Sequence, residues 1–396
     1  MQGDAAVGPS YRATVTALAL GQVLAWAVLF YAFSSFVLPM QADLGWERSL
    51  LMGAYTLGLG VWGGATYAVG AAIDRGHGRV VMTAGAALGG LGCIAWALVS
   101  APWMLYAAWA LLGLAMAATL YEPAFAVLTK RYPERYHQGI TALTLVGGFA
   151  STLSFPVAAA LLSLLSWRAA LVVLGVVLLA VAPLHAWALR GPAIVAAAAG
   201  DADADDATLR EALRLAAFWL LTASFTVYSL VQAALWAHVK PAFAAKGVSE
   251  ADALTVLVCI GPAQVAGRLL FVWLGRNWPL RTLGVVVLAA MPLALLLFAL
   301  GRSLGVLLGF ALLFGIANGL VTIVRGGLVP LYFGRTHVGR IGGLMSGIGL
   351  IARAGGPLLA AWLLALLPGY RELLLLLAAG AAVAAVAFGL ARPPRG

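Results

Sequence analysis

Long apolar segments alternate with short polar ones along the whole chain. Each apolar segment is rich in Leu, Ala and Gly and is about 20 residues long, which suffices for a helix to span the hydrocarbon core of a bilayer. Small-residue pairs such as Gly60/Gly64 and Gly85/Gly89 predict close contacts between such helices. The pattern predicts twelve membrane-spanning helices, at roughly 14–38, 49–71, 80–100, 103–128, 138–163, 169–189, 216–240, 252–274, 280–301, 304–329, 340–366 and 371–391.

The second half of the chain repeats the first at a lag of about 200 residues. The matching groups are Pro39 and Gly45 with Pro241 and Gly247, Arg75 and Arg79 with Arg276 and Arg281, His137 and Gly139 with His337 and Gly339, Pro156 with Pro357, and Trp167-Arg168 with Tyr370-Arg371. Such a repeat in an apolar chain is typical of transporters built from two related bundles. We predict an all-α integral membrane protein with two pseudo-symmetric six-helix bundles, over residues 1–190 and 215–396, joined by a cytoplasmic linker at 191–214.

The composition excludes a soluble globular protein. The chain is 63% hydrophobic and 10% charged, with a mean hydropathy of +0.99, whereas soluble proteins carry about 25% charged residues. The net charge of +10 follows from the excess of basic residues that cytoplasmic loops carry, so we predict no nucleic-acid partner. With both termini in the cytoplasm, fifteen of the 24 Lys and Arg residues lie on cytoplasmic segments and six lie outside. This predicts a multi-pass protein of the cell inner membrane.

Several chemical classes lack the residues that they need. The sequence contains no phosphate-cradling loop, its five histidines lack the spacing of a zinc site, and no catalytic cluster is evident. We therefore predict a protein that is not an enzyme and that has no cofactor and no bound metal. A receptor that binds without transporting would need a signalling domain or a long tail, and none is evident in the sequence.

Four charged residues fall inside predicted spans: Arg268, Arg325, Arg353 and Glu122. Each costs about 3 kcal/mol at a helix centre, and arginine cannot lose its proton to avoid that cost. The excess of positive charge favours an anion, and the planar guanidinium group suits a carboxylate. Alternatively, these arginines pair with Glu122 or with carbonyls at helix ends and have only a structural role. For Arg353, a helix break at Gly355-Gly356-Pro357 would supply such carbonyls.

Polar and aromatic residues on the same spans predict the lining of a central cavity. Asn318 shares a helix face with Arg325, and Gln264 shares one with Arg268. Gln232 comes from the seventh span, and Trp26 and Tyr31 come from the first. Helix–helix packing remains an alternative role for each of them. Together with the three arginines, they are the predicted substrate-binding residues.

The end of the second predicted span carries a recognisable motif. The segment Gly70-Ala-Ala-Ile-Asp74-Arg75-Gly-His-Gly78-Arg79 resembles the signature loop of the major facilitator superfamily, G-x-x-x-D-R-x-G-R, with one extra residue before Gly78. The resemblance implies the twelve-helix fold of that superfamily, transport by alternating access and a monomeric state. It also implies a cytoplasmic conformational gate at Gly70, Asp74, Arg75 and Arg79. In such a gate, Asp74 accepts hydrogen bonds from a neighbouring helix N-terminus or from an arginine.

A second motif suggests the substrate. The segment Gln264-Val-Ala-Gly-Arg268 resembles the eighth-span motif of the monocarboxylate carriers, in which an Asp four residues before the Arg helps to bind the carboxylate and couples it to a proton. Because Gln264 replaces that Asp, we assign proton coupling to Glu122, whose protonation would leave positive charge available for the anion. The predicted partners are a small-molecule substrate, protons and the lipid bilayer, and the predicted function is proton-coupled symport of a small organic anion. The alternative is an efflux pump that exchanges drugs or toxic compounds for protons.

Overall fold

A computed structural model describes residues 8–191, 206–275 and 278–393 of the 396-residue chain. Over these ranges the chain forms helices and no β-strand. A helix bonds its own backbone groups, which a bilayer requires. Residues 192–205, which make up most of the predicted linker, and Arg276 of the predicted repeat lie outside the described residues.

The chain divides into two compact units. The first, here called the N-terminal unit, comprises Met1–Thr208 and Gly334–Gly347. Its described helices are α1 (Tyr11–Ala25), α2 (Phe33–Leu44), α3 (Arg48–Ala72), α4 (Gly78–Ala97), α5 (Pro102–Thr119), α6 (Tyr121–Arg131), α7 (Tyr136–Gly147), α8 (Ala150–Leu164) and α9 (Trp167–Ala188). Two π-helical segments, Trp26–Tyr31 and Ile73–His77, lie between α1 and α2 and between α3 and α4.

The second unit, here called the C-terminal unit, comprises Leu209–Phe333 and Ile348–Gly396. The described helices of this part of the chain are α10 (Leu209–Ala212), α11 (Ala216–Ala245), α12 (Glu250–Leu270), α13 (Leu280–Leu300), α14 (Leu304–Phe333), α15 (Val338–Leu366) and α16 (Tyr370–Leu390). A π-helical segment, Phe271–Gly275, follows α12. The first ten residues of α15 belong to the N-terminal unit and the rest belong to the C-terminal unit.

The described chain supplies the twelve membrane crossings that the sequence predicts. Eleven largely helical stretches of the described residues are long and apolar enough to span a bilayer. One of them, Arg48–Ala97, has 50 residues and would be about 75 Å long, more than twice the thickness of a hydrocarbon core of about 30 Å. It bends at Gly76, whose φ of 91° is accessible to glycine and rare for other residues. This stretch therefore accounts for two crossings.

The helices differ from the prediction in their continuity. The predicted fourth span is interrupted at Leu120, between α5 and α6, and the fifth at Gly148 and Phe149, between α7 and α8. The predicted break at Gly355-Gly356-Pro357 is wrong, because α15 is continuous from Val338 to Leu366. Membrane helices tolerate proline because neighbouring groups satisfy the carbonyl that it leaves without a donor.

Helices pack closely where glycines face each other. A side chain at Gly113 of α5 would collide with the carbonyl of Gly58 on α3, and a side chain at Gly85 would collide with α5. The predicted contacts at Gly60 and Gly64 are wrong, because no described atom lies within 4 Å of a side chain built there. The face of α3 that packs against α5 is the face that carries Gly58.

One pair from the sequence repeat has the same conformation in both halves. Gly45 follows α2 and Gly247 follows α11, with φ values of 65° and 72°. Each occupies the left-handed conformation that commonly ends a helix and that glycine adopts without strain. In both places a proline, Pro39 or Pro241, lies six residues earlier within the helix.

Candidate functional site

Arg268 is held in the interior of the C-terminal unit. It lies near the end of α12, and only 4% of its surface is exposed. Its Nε donates to the carbonyl oxygen of Gly319 on α14 at 3.1 Å, and the Thr322 hydroxyl donates to the same oxygen at 3.0 Å. The two helices can come this close because Gly319 has no side chain; a side chain there would collide with the Gln264 backbone. The position and orientation of the guanidinium group are therefore fixed by backbone contacts.

Asn318 organises a polar cluster beside Arg268. Its side-chain oxygen accepts hydrogen bonds from the Tyr228 hydroxyl at 3.3 Å and, in a short contact, from Gln232 Nε2. Tyr228 is buried and interacts electrostatically with Arg353. The structure thus brings the predicted site residues Asn318, Gln232 and Arg353 together with Arg268 in the C-terminal unit. Sequence reasoning missed Tyr228, although it lies four residues before Gln232, one turn away on the same face of α11.

Arg325 lies seven residues after Asn318 on α14 and is partly buried. A side chain built at Gly349 of α15 would come within 3.8 Å of the Arg325 Nη2 atom and within 3.8 Å of the Ser229 hydroxyl on α11. Arg325 therefore lies where α11, α14 and α15 approach one another. All three predicted arginines belong to this unit.

In the N-terminal unit, the fourth span breaks just before Glu122. α5 ends at Thr119, and Leu120 adopts an extended conformation with ψ of −157°. Pro123 explains the break, because in a continuous helix its ring would collide with the Thr119 carbonyl and could donate no N–H to it. Gln22 of α1 satisfies the exposed carbonyls: its Nε2 donates to Thr119 at 2.7 Å and to Leu120 at 3.2 Å. Glu122 therefore lies in the first turn of α6, where the helix dipole favours negative charge.

Trp26 and Tyr31 are the two ends of the first π-helical segment. Such segments occur frequently at functional sites, because they leave the regular hydrogen-bond pattern. Here the Ser154 hydroxyl of α8 donates to the Ala27 carbonyl at 2.8 Å. The Trp26 ring lies 6.3 Å from that of Tyr31 and 5.0 Å from that of Tyr121, the residue before Glu122. The predicted residues Trp26 and Tyr31 thus lie close to the start of α6, which carries Glu122, and all of them belong to the N-terminal unit.

Asp74 lies in the π-helical segment after α3 and is 8% exposed. Its carboxylate accepts hydrogen bonds from the backbone N–H groups of Gly339 at 2.9 Å and Arg340 at 2.8 Å, in the first turn of α15. Lys130 Nζ lies 3.5 Å from the same carboxylate. A carboxylate at a helix N-terminus satisfies backbone donors and interacts favourably with the helix dipole.

The backbones of α3 and α15 touch next to Asp74. The contacting pairs are Gly70 with Gly339, Thr66 with Gly343, and Gly63 with Gly347. The Thr66 hydroxyl donates to the Gly343 carbonyl at 2.8 Å and lies 2.7 Å from the Gly63 carbonyl. We call these six residues the glycine contact. It allows the Asp74 carboxylate to reach the first turn of α15.

The remaining predicted gate residues lie elsewhere. Arg79 Nε donates to the Ala186 carbonyl of α9 at 2.8 Å, so it binds within the N-terminal unit. Arg75 is exposed and makes no hydrogen bond with any described residue. Of the four predicted gate residues, Gly70 and Asp74 contact α15, and the two arginines make no hydrogen bond with its described residues.

A second carboxylate binds just before α15, and sequence reasoning missed it. Asp206 accepts hydrogen bonds from the backbone N–H groups of Arg335 at 3.0 Å and Thr336 at 2.8 Å, and from the Thr336 hydroxyl at 2.5 Å. Lys130 links the two carboxylates through Thr336. Its Nζ contacts Asp74 and also donates to the carbonyl of Thr336, the residue that Asp206 binds, at 2.9 Å. The acidic composition of the predicted linker was a signal, but no sequence pattern indicates which Asp binds.

Comparison with solved structures identifies the same fold in known transporters. The human organic anion transporter MFSD10 (TETRAN) superimposes with a TM-score of 0.74 over 96% of this chain and 100% of that one, at 17% identity. The Escherichia coli fucose:proton symporter FucP gives a TM-score of 0.75 over 97% of this chain and 100% of that one, at 16% identity. No curated protein sequence matches.

The sequence itself matches one family. Residues 18–321 fit the pattern that defines the Major Facilitator Superfamily, which is a family of transporters and not of enzymes. The predicted twelve-helix fold of that family is confirmed by the superposition with FucP. The chain therefore belongs to the major facilitator superfamily and is a multi-pass membrane transporter.

Proposed function

We propose that the protein carries a small organic anion, anchored through a carboxylate, by alternating access and with proton coupling. The observation that carries the proposal is Arg268, a charged side chain that is 4% exposed and fixed by the Gly319 carbonyl. Arg325 and Arg353 add two more positive charges to the spans of the same unit. A guanidinium group matches the two oxygens of a carboxylate and stays charged at every physiological pH.

The positions of the acidic residues leave an excess of positive charge within the membrane-spanning helices of the C-terminal unit. In its described membrane-spanning helices, the acids are Glu250 and Asp252 in the first turn of α12 and Glu372 in the first turn of α16. All three lie in first helical turns, where water and headgroups can solvate them, whereas Arg268 is buried and Arg325 and Arg353 lie well inside α14 and α15. An anionic substrate would offset part of the cost of burying the arginines.

Known relatives of this fold support both parts of the proposal. MFSD10 is described as an organic anion transporter and FucP as a fucose:proton symporter. The fold therefore accommodates an anionic substrate in one protein and proton coupling in another.

Glu122 is the residue that we propose to carry the proton. Its position follows from the helix break at Leu120, which places the carboxyl group at the start of α6. A group at such a break can change its hydrogen bonds when the half-helix moves. If Glu122→Gln retains transport with an unchanged dependence on the pH gradient, Glu122 is not the coupling residue.

We propose that the contact of Asp74 with the first turn of α15 is the conformational gate. Lys130 and the glycine contact complete it, and Asp206 strengthens it from the linker. We expect this gate to lie on the cytoplasmic side of the cell inner membrane, with both termini on that side, and the protein to act as a monomer. Opening the gate would break charge-assisted hydrogen bonds at one helix start, which makes it a two-state contact.

The first experiment is a thermal-shift screen of the purified protein in detergent. Ligands would be small carboxylates, together with neutral and cationic drug-like compounds. A ligand that binds the folded protein raises its melting temperature by mass action. We expect a carboxylate to stabilise the wild type and the Arg302→Ala control, which removes an exposed arginine, but not Arg325→Ala or Arg268→Gln.

One observation favours the alternative function, an efflux pump for drugs or toxic compounds: aromatic rings cluster around Trp26. Stabilisation by neutral or cationic compounds alone, unchanged in Arg325→Ala, would support an efflux pump and contradict the anion proposal.

A further inference from the structure

The N-terminal unit contains a basic cavity that transport of the substrate does not explain. The cavity has a volume of about 310 Å³ and lies between the α3–α4 junction, the end of α6 and the end of α9. The residues that line it are Ile73, Gly76, His77, Gly78, Arg79, Val80, Val127, Lys130, Arg131, Leu189 and Gly191. This volume is sufficient for a phosphate group with part of a headgroup.

The lining is positively charged. His77, Arg79, Lys130 and Arg131 contribute basic side chains, and none of the described lining residues is acidic. Arg79 donates through Nε to the Ala186 carbonyl, and its two terminal nitrogens make no hydrogen bond with any described residue. Arg131 donates one terminal nitrogen to the Arg190 carbonyl, which fixes its guanidinium group at the cavity. Guanidinium groups bind phosphate oxygens well, because their planar donors match the geometry of the phosphate.

The apolar part of the lining suggests that the ligand also has an apolar part. Ile73, Val127 and Leu189 contribute aliphatic side chains beside the basic ones. Val80 at the cavity is 64% exposed, and Trp187 near the end of α9 is 41% exposed. Exposed tryptophans next to basic residues are typical of the headgroup region of a membrane.

We propose that this cavity binds the phosphate group of an anionic phospholipid. Basic cavities between membrane helices recognise lipid headgroups by charge and by phosphate hydrogen bonds. A lipid fits better than free phosphate, because the cavity combines cationic donors with aliphatic side chains. The proposal concerns a ligand other than the transported substrate and does not depend on the proposed function.

The test is native mass spectrometry of the purified full-length protein with equal amounts of phosphatidylglycerol and phosphatidylcholine. The cavity variant is Arg79→Gln/Arg131→Gln. The matched control is Arg12→Gln/Arg210→Gln, which removes the same charge from two exposed arginines outside the cavity. Lys130 stays in place in both variants, so its contact with Asp74 is unchanged. The single variant Arg79→Lys keeps the charge and removes the planar pair of donors.

We expect the wild type and the control to retain phosphatidylglycerol in preference to phosphatidylcholine. The cavity variant should lose about tenfold of that preference, as expected for the loss of charge-assisted hydrogen bonds, and Arg79→Lys should lose less. Equal preference in wild type, control and cavity variant would overturn the proposal.

A second arm separates a lipid from a free anion. Melting temperatures of the same variants in detergent would be measured with inorganic phosphate and with phosphatidylglycerol dissolved in the detergent micelles. We expect stabilisation by the lipid alone, reduced in Arg79→Gln/Arg131→Gln. Equal stabilisation by millimolar inorganic phosphate, lost in the same variant, would contradict a lipid and identify a site for small anions.

Discussion

The two units place polar groups among apolar helices in different ways. In the N-terminal unit the helices are interrupted, at the π-helical segment Trp26–Tyr31, at Leu120 and at Gly148. In the C-terminal unit, α11 and α14 are continuous over 30 residues each, and their polar groups are side chains. One unit thus exposes backbone carbonyls and half-helix ends, and the other carries fixed arginines. The comparison suggests that the interrupted unit is the deformable one and the continuous unit is the anchor for charge.

We expect the largest effect from a change in the C-terminal unit, which carries the buried arginine Arg268. Arg268→Gln removes charge-assisted hydrogen bonds worth about 1.5–3 kcal/mol each, so uptake of a stabilising carboxylate into proteoliposomes should fall about 100-fold. Arg268→Lys should be intermediate, since it keeps the charge and loses the planar donors. Arg302→Gln, at an exposed position, serves as the control. Uptake within threefold of wild type in Arg268→Gln would remove this residue from the substrate site.

The next effect concerns the gate. Asp74→Asn should weaken the contact with α15 by about 2 kcal/mol, and Asp206→Asn by about 1 kcal/mol, because Asp74 bonds the first turn of α15 itself, whereas Asp206 bonds the residues before it. We would measure maleimide labelling of a Thr66→Cys variant in which Cys93 and Cys259 are serine. Labelling should rise more in Asp74→Asn than in Asp206→Asn. Unchanged labelling in both would contradict the gate.

A double-mutant cycle tests the backbone break in the N-terminal unit. Gln22→Leu leaves the Thr119 and Leu120 carbonyls without their donor, so thermal unfolding should show a loss of about 1–3 kcal/mol. Pro123→Ala restores the N–H that a continuous helix needs. In that background Gln22→Leu should cost less, and the two changes should not be additive. Additive effects would show that Gln22 does not serve the break.

The smallest effect concerns the π-helical segment. Ser154→Ala removes the hydrogen bond to the Ala27 carbonyl and should lower the free energy of unfolding by about 1 kcal/mol. Ser163→Ala is the control on the same helix, because its hydroxyl bonds only the Ala160 carbonyl of that helix and is exposed. An equal change in both variants would contradict a special role for Ser154.

The sequence predicted the number of spans because length and hydropathy determine what can cross a bilayer. The predicted domain borders and the roles of the site residues stay predictions. The break at Leu120 was missed because Pro123 lies in an apolar run that length alone reads as one span. The opposite error occurred at Pro357, where the helix is continuous. At Leu120 the break is accommodated because Gln22 satisfies the exposed carbonyls.

The sequence also did not predict which face of each helix packs against its neighbours. Gly60 and Gly64 were predicted to pack, yet Gly63 and Gly70 on the same helix are the ones that touch α15. In a soluble protein the apolar face points inward, but in lipid both faces of α3 are apolar, so hydropathy does not distinguish them. Asp206 was missed for a related reason, since its partners are backbone groups more than 100 residues away.

The glycine contact has a consequence for the speed and reversibility of motion. Five of its six residues have no side chain, and the sixth, Thr66, also has the Gly63 carbonyl of its own helix within hydrogen-bond distance, at 2.7 Å. Closing such a surface freezes almost no rotamers, whereas burying long side chains costs up to about 2 kcal/mol of entropy each. Separation and re-closure therefore require little reordering of side chains, which favours a fast and reversible motion.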